Sequence, residues 1–252
     1  MRFLAESYSD IGSTRETNQD ALCIMQAETV KGNALMAIVC DGMGGLSKGE
    51  VASGSAVNAF VEWFQREFPK CVKELSLEQI AERWSAMLYE ISERLQEYGG
   101  AKGITMGTTF SGILMLGNEY MWVHVGDSRI YCISDKMQQL TTDHTVIARE
   151  LERGTMTEEE AKHSSKRGKL TQCLGSSRGL NPEIGSGRLK SGEAYLLCCD
   201  GFYHKFAGAE EQALLIRKLG SDDLSSFCVN ATKWVIQQGE KDNVSVIVVK
   251  VQ

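Results

Sequence analysis

Apolar positions along the chain fall into two kinds of segment. Short runs rich in Val, Ile, Leu and aromatic residues, bounded by Gly, Asp or Asn, occupy residues 21–27, 34–40, 108–116, 120–125, 129–134, 194–199 and 244–251, and they predict strands. Longer segments carry a helical period. Residues 51–68 bring Val57, Phe60, Val61 and Phe64 to one face, and residues 77–98 do the same with Ile80, Trp84, Met87, Leu88, Ile91 and Leu95. Residues 209–219 and 222–237 predict two further helices, and 169–174 also reads as helix-like. The order is strands, two long helices, strands, a mixed segment, a strand, two helices and a last strand. A doubly wound parallel sheet would alternate regularly, so the order predicts an α+β layered fold with antiparallel sheets covered by helices.

With 252 residues, two prolines (Pro69 and Pro182), no low-complexity tract and no fixed-period repeat, the chain reads as one domain over 1–252. The apolar fraction of 42% and charged fraction of 24% are those of a soluble globular protein. A formal net charge of −6 gives no footprint for nucleic acid or an anionic membrane surface. No apolar run is long enough for a membrane span. The start, with Glu6 close behind Met1, does not read as a signal peptide, so the expected location is cytoplasmic. The eight cysteines include no Cys-x-x-Cys and no zinc-ligand spacing to the four histidines; they read as reduced, mostly buried small apolar residues.

Chemistry enters through a repeated arrangement of aspartate at the end of a strand-like run. Asn18-Gln19-Asp20 leads into one run; others end in Asp41-Gly42, Gly126-Asp127 and Asp200-Gly201; Asp242-Asn243 leads into the last. Taken singly, each is an ordinary turn. Taken together, five carboxylates at the ends of core strands would meet on one rim, where they repel and resist burial unless cations compensate them. Hard oxygen donors of this kind suit Mg²⁺ or Mn²⁺.

The same residues carry a resemblance. Arg15-x-x-Asn18-Gln19-Asp20, Asp41-Gly42-Met43-Gly44-Gly45, Gly107-Thr108-Thr109, Val125-Gly126-Asp127-Ser128-Arg129, Leu140-Thr141-x-Asp143-His144, Cys199-Asp200-Gly201 and Asp242-Asn243-Val244-Ser245 follow one another as do the motifs of the PP2C-type (PPM) metal-dependent protein serine/threonine phosphatases. The resemblance spans almost the whole chain, and the compact length is similar to that of bacterial members. It implies an α/β/β/α sandwich of two antiparallel sheets flanked by helix pairs, with two divalent ions, Mn²⁺ or Mg²⁺, at one end. By position, Asp41 would bridge both ions, the Gly42 carbonyl would contribute to one, Asp200 and Asp242 would hold the other, and Asp20 would support the site directly or through water. Asp127 matches the position that helps to hold a third, weaker ion in related bacterial enzymes. Arg15 matches the phosphate-binding arginine, whose planar fork can take two phosphoryl oxygens. The implied reaction is direct hydrolysis of phosphoserine and phosphothreonine by an activated water, without a phosphoenzyme. The implied partners are phosphoprotein substrates and an opposing serine/threonine kinase, around a monomeric enzyme.

Departures from the family pattern sharpen these expectations. Met43 stands where animal members carry a histidine proposed as general acid, so a metal-bound water is expected to protonate the leaving serine or threonine. Gln19 replaces a glutamate, and Cys199 stands where serine is usual. His204 reads as a local structural residue, His124 as a packed core histidine, and Asp143 and His144 as structural. Residues 145–167 correspond to a variable flap; Arg149, Arg153, Lys162, Lys166 and Arg167 there would either meet substrate or lie on a solvated surface. Other hydrolytic chemistries fit less well. No cysteine has arginine at Cys-x5-Arg spacing, Cys173 to Arg178 being one residue short, and Gly175-Ser176-Ser177-Arg178-Gly179 lacks the strand before it and the helix after it that a nucleophile elbow needs. The rival function is a catalytically inactive, PP2C-like binding module. Such a chain would be expected to have lost metal aspartates, and Asp20, Asp41, Asp200 and Asp242 are all present with Arg15.

Overall fold

The structure, a computed structural model, describes residues 1–43, 48–166, 168–176, 179–221 and 223–252. Gly44 and Gly45 of the Asp41 motif, Arg167 of the flap, Ser177 and Arg178 of the elbow-like match, and Asp222 at the expected start of the last helix lie outside the described residues.

Two antiparallel five-stranded sheets form the middle of the molecule. The first runs in the order β1 (Phe3–Asp10), β12 (Val244–Val251), β11 (Ala194–Cys198), β8 (Arg129–Ile133), β9 (Met137–Gln139); the second runs β10 (Glu183–Arg188), β7 (Glu119–Val125), β6 (Phe110–Leu116), β3 (Gly32–Cys40), β2 (Ala21–Thr29). A two-residue pair, β4 (Gly42–Met43) with β5 (Gly107–Thr108), extends from one end. β3 explains why its sequence is apolar throughout: Leu35, Ala37 and Val39 enter the core between the sheets, while Ala34, Met36, Ile38 and Cys40 enter a second core on the outer face. That outer core is closed by α1 (Gly49–Arg66) and α3 (Leu77–Lys102), with Phe60, Trp63 and Trp84 packed edge to face. On the other side, α7 (Ala209–Ser221) and α8 (Leu224–Gln237) cover the first sheet, α8 directly over β1 and β12. The expected four-layer sandwich is the observed one.

Local signals set the helix limits. Ser76 and Gln79 form a reciprocal cap at the start of α3, and Gly103, at φ 66°, ends it. The helix expected over 51–68 begins at Gly49 and ends at Arg66; Pro69 starts a separate short α2 (Phe68–Glu74). The strand expected over 108–116 is divided at Thr109. Residues 169–174 are not helical: Leu170 and Leu174 make isolated bridges to Thr145 and Thr108, an extended path that the apolar spacing did not reveal. The flap region holds α4 (Val146–Glu152) and α5 (Glu158–His163), neither with a buried residue.

Candidate metal centre

Strand direction gathers the acids. Asp20 precedes β2 and Asp41 follows β3, and Ala21 pairs with Cys40, so these two acids are neighbours at one sheet end. β7 runs parallel to β3 with β6 between them, and it places Gly126 and Asp127 at the same end. In the facing sheet Cys198 pairs with Val246, so Asp200, just after β11, lies beside Asp242 and Asn243, just before β12. β1 ends at the same level, with Asp10 opposite Val244, and delivers the loop that carries Arg15.

Backbone and polar contacts fix each position. Asp41 is held through its main chain: its N–H donates to Thr109 Oγ1 at 2.8 Å, and its carbonyl accepts from the Thr109 N–H at 2.9 Å and Thr108 Oγ1 at 3.0 Å. Asn243 ties the Arg15 loop to β12, donating from Nδ2 to the Ile11 carbonyl at 2.9 Å and accepting at Oδ1 from the Gln19 N–H at 2.9 Å. Glycine is required at two contacts. A Cβ on Gly42 would lie 2.4 Å from the carbonyl oxygens of Gln19 and Gly49, and one on Gly201 would lie 2.2 Å from the Asn243 carbonyl oxygen.

The carboxylates crowd, and burial with mutual repulsion outweighs the opposing charges of Arg129 and His204. Ligand atoms of Asp20, Asp41 and Cys199 lie within 4.8 Å of one another. Ser245 Oγ donates to Asp20 Oδ2 at 2.5 Å, whereas the buried Oδ1 has no hydrogen-bond partner among the described residues. Burial, then the charges of Asp200 and Asp242, pushes the Asp20 carboxyl up to about 7 against hydrogen bonds from Ser245 and Cys199. Burial, then Asp200 and Asp143, pushes Asp127 up to about 8. Burial raises Asp41 well above the usual carboxylate range, and Asp20, Asp200, Asp127 and Asp242 add to the rise. Asp200 is raised chiefly by burial, with Asp242 adding and His204 opposing. Such a cluster resists full ionisation until positive charge enters it, and an orphaned buried carboxylate oxygen is a free hard donor. The donor set therefore fits oxygen-preferring divalent cations.

Arg15 and Asp242 occupy the open side. The Arg15 fork donates Nε to Oδ1 at 2.7 Å and Nη2 to Oδ2 at 2.6 Å, with side-chain exposures of 51% and 37%. Beside them opens a cavity of about 500 Å³ lined by Asp127, Asp200, Tyr203, His204, Thr145 and Ile147 among others. Its wall is built by Arg129, which grips Asp143 at 2.8 and 2.7 Å and lies 3.6 Å over the Tyr203 ring. His204 stands on the rim, with Nδ1 3.9 Å from Glu240 Oε2. Met43 is half-buried opposite Gly107.

Several of the remaining residues singled out from the sequence have structural partners. His124 is fully buried, its Nδ1 2.9 Å from Ser111 Oγ and its Nε2 3.1 Å from the Thr142 carbonyl, and burial depresses it to about 3. His144 Nδ1 accepts from the Gly126 N–H at 3.1 Å. With Glu183 these histidines approach metal-ligand distance, but Glu183 is engaged by the Thr142 N–H at 2.8 Å and hydroxyl at 2.9 Å. In the flap, Lys166 pairs with Glu150 at 2.7 Å and Lys162 with Glu159 at 3.0 Å. Cys40, Cys198, Cys199 and Cys228 are buried, and Cys23, Cys71, Cys132 and Cys173 are half-buried. Sequence reasoning missed the Cys199 sulfur inside the acid cluster, since a cysteine ending an apolar strand resembles core. It also missed the Arg129–Asp143 clamp, which depends on a long-range contact.

Comparison with known proteins agrees with this geometry. The family model described as protein phosphatase 2C matches residues 12–232. Protein phosphatase PhpP of Streptococcus pneumoniae serotype 2 is 29% identical over 245 residues, covering 96% of this chain and 94% of that protein. The solved S. agalactiae serine/threonine phosphatase is 26% identical, with a TM-score of 0.86 and full coverage of both chains. The catalytic domain of the serine/threonine protein phosphatase PstP, solved with two manganese ions, is 25% identical, with a TM-score of 0.78 and 99% coverage of each chain.

Proposed function

Because the chain belongs to the protein phosphatase 2C family and is a metal-dependent protein serine/threonine phosphatase, we propose that its acid cluster is a two-cation active site for phosphoserine and phosphothreonine esters. In this reading Asp41 would serve both of two Mn²⁺ or Mg²⁺ ions, the Gly42 carbonyl one of them, and Asp200 with Asp242 the other. Asp20 would support them through its unpartnered Oδ1, and Asp127 would contribute to a third, weaker position beside Asp200. The observation that carries this reading is the buried Asp20 oxygen without a partner, in a cluster of carboxyls that burial and mutual repulsion hold above their usual range. Acid-bearing strand ends from residue 20 to residue 242 contribute, which supports treating 1–252 as one domain.

When bound, the cations supply an acidified water as nucleophile and offset charge on the phosphoryl oxygens. The protein's own residues do the positioning. Arg15 presents two N–H groups in one plane, now closed on Asp242, and the same fork suits two oxygens of a phosphoryl group. Thr108 and Thr109 hold the Asp41 main chain, so its carboxylate is preorganised. Met43 has no proton to give, which leaves solvent at the open face to protonate the leaving serine or threonine alkoxide. The cavity beside Asp127 offers room for residues flanking the phosphorylated one.

The partners in this reading are phosphoprotein substrates of a serine/threonine kinase, met by a monomeric, cytoplasmic enzyme. Among the described residues no helix is long and apolar enough to cross a membrane. Titration calorimetry with Mn²⁺ and turnover of a phosphothreonine peptide test the assignment together. Asp41→Asn and Asp242→Asn should each fold normally, lose cation affinity and lower turnover by at least about a hundredfold, beyond the range for outer-shell changes. Full activity in either variant removes that residue from the site. Wild-type turnover that persists in EDTA overturns the metal assignment. No turnover across varied substrates and metals would support the inactive binding module.

A further inference from the structure

The helical layer over the first sheet contains a groove. α8 lies on β1 and β12, but α7 touches the body mainly through α8 and the short turn His204–Phe206. Only Leu215 and Leu219 of α7 are buried. Between the two helices a groove of about 370 Å³ remains, a size at the lower end of small-molecule sites, roughly 300–1,000 Å³. Its floor is apolar and aromatic: Phe206 stacks on Trp234 with ring centroids 5.0 Å apart, beside Leu215 and Phe227. Its lips carry charge of one sign. Lys218 on α7 and Lys233 on α8 both border it, and among the described residues no acidic residue does and neither lysine has an ion-pair partner.

We propose that this groove binds one amphiphile with a carboxylate head and an aliphatic tail, a medium-chain fatty acid in type. The tail would cover the Phe206–Trp234 pair, removing apolar surface from water, and the head would lie between the two ammonium groups. A membrane surface fits less well, because none of the exposed large apolar side chains among the described residues lies on α7 or α8; the apolar surface is recessed. The groove also has a route to the metal centre. Phe206 packs on Phe202 at 5.2 Å, and Phe202 belongs to α6 (Asp200–Tyr203), which opens with Asp200.

The probe is decanoate, kept below its micelle concentration and titrated calorimetrically into the full chain. Saturable binding of one decanoate per chain is expected, with 1-decanol at least about tenfold weaker because it lacks the charge. Lys218→Glu with Lys233→Glu should weaken decanoate at least about tenfold while phosphatase activity, which serves as the folding control, is unchanged. Lys218→Gln with Lys233→Gln, a milder pair, should shift affinity in the same direction. Ala231→Phe, which fills the slot, should abolish binding. No saturable binding to the wild-type chain, equal affinity for decanol, or indifference to both lysine pairs overturns the proposal. So does binding of an acidic amphipathic peptide that decanoate fails to displace, since the groove would then be a peptide site.

Discussion

A guanidinium closed on an aspartate is the plainest feature at the level of single residues. The Arg15–Asp242 pair is bidentate but about half exposed, so water screens it and it contributes little to stability, on the order of 1 kcal/mol or less. Its worth lies in geometry. Arg15→Lys keeps the charge but loses the fork, so steady-state kinetics on a phosphothreonine peptide should show KM rising about tenfold with an unchanged melting temperature. The acids make a pH prediction. Asp20 and Asp127 are held near 7 and 8, so their neutral forms are favoured in the metal-free fold. Their contribution to stability is complete below the ordinary carboxylate value of 3.8 and is lost as pH rises through about 7 to 8. His124, depressed from 6.5 to about 3, acts in the opposite direction, losing its contribution as pH falls below 6.5. Between about pH 6.5 and 8 the raised acids outweigh what remains of the opposing His124 effect, so the metal-free melting temperature should fall across that window. Mn²⁺ affinity should climb over the same window, because the cation competes with protons for the same oxygens. A flat calorimetric affinity from pH 6 to 8 contradicts this.

Elements differ in how openly their sequences declared them. β3, β6, β7 and β12 are apolar and β-branched, and the runs mark them plainly. β1, FLAESYSD, is an edge strand with one buried residue, so no alternation strong enough to see survives. β10 hides behind Gly185 and Gly187, which read as turn residues; in the fold a Cβ there would strike the Trp122 ring at 2.3 Å and the Tyr120 hydroxyl at 2.5 Å. α6 is four residues long, too short for any period, yet it carries Asp200. The contact of Gly201 with the Asn243 carbonyl gives a test at this scale. Gly201→Ala must move α6 or the start of β12, and with them Asp200 or Asp242. Mn²⁺ affinity should fall at least about tenfold by calorimetry, as when supports of a metal ligand are disturbed. Unchanged affinity would mean that the close approach does not position the ligands.

Across the whole molecule, order is graded from the sandwich outward. β3, β6 and β12 are buried on both faces, whereas α4 and α5 bury no residue. Native-state hydrogen exchange should find the amides of β3, β6 and β12 slowest and those of α4 and α5 among the fastest, since local opening follows buried contact. Equal protection in the flap and the sheets would refute that gradient. The acids thus stand at the ends of the most buried strands. The sequence alone determined the layer class, through runs of period two and of period 3.6, and it marked the acids, through aspartates at strand ends beside glycine or asparagine. Those signals are local, and local spacing is what a sequence records. Only the tertiary structure decided that Asp20 keeps an unpartnered oxygen, that Cys199 enters the cluster, that Arg129 grips Asp143 and that a slot opens between α7 and α8. Each depends on atoms brought together from distant parts of the chain, where packing and burial, rather than spacing, set the energies.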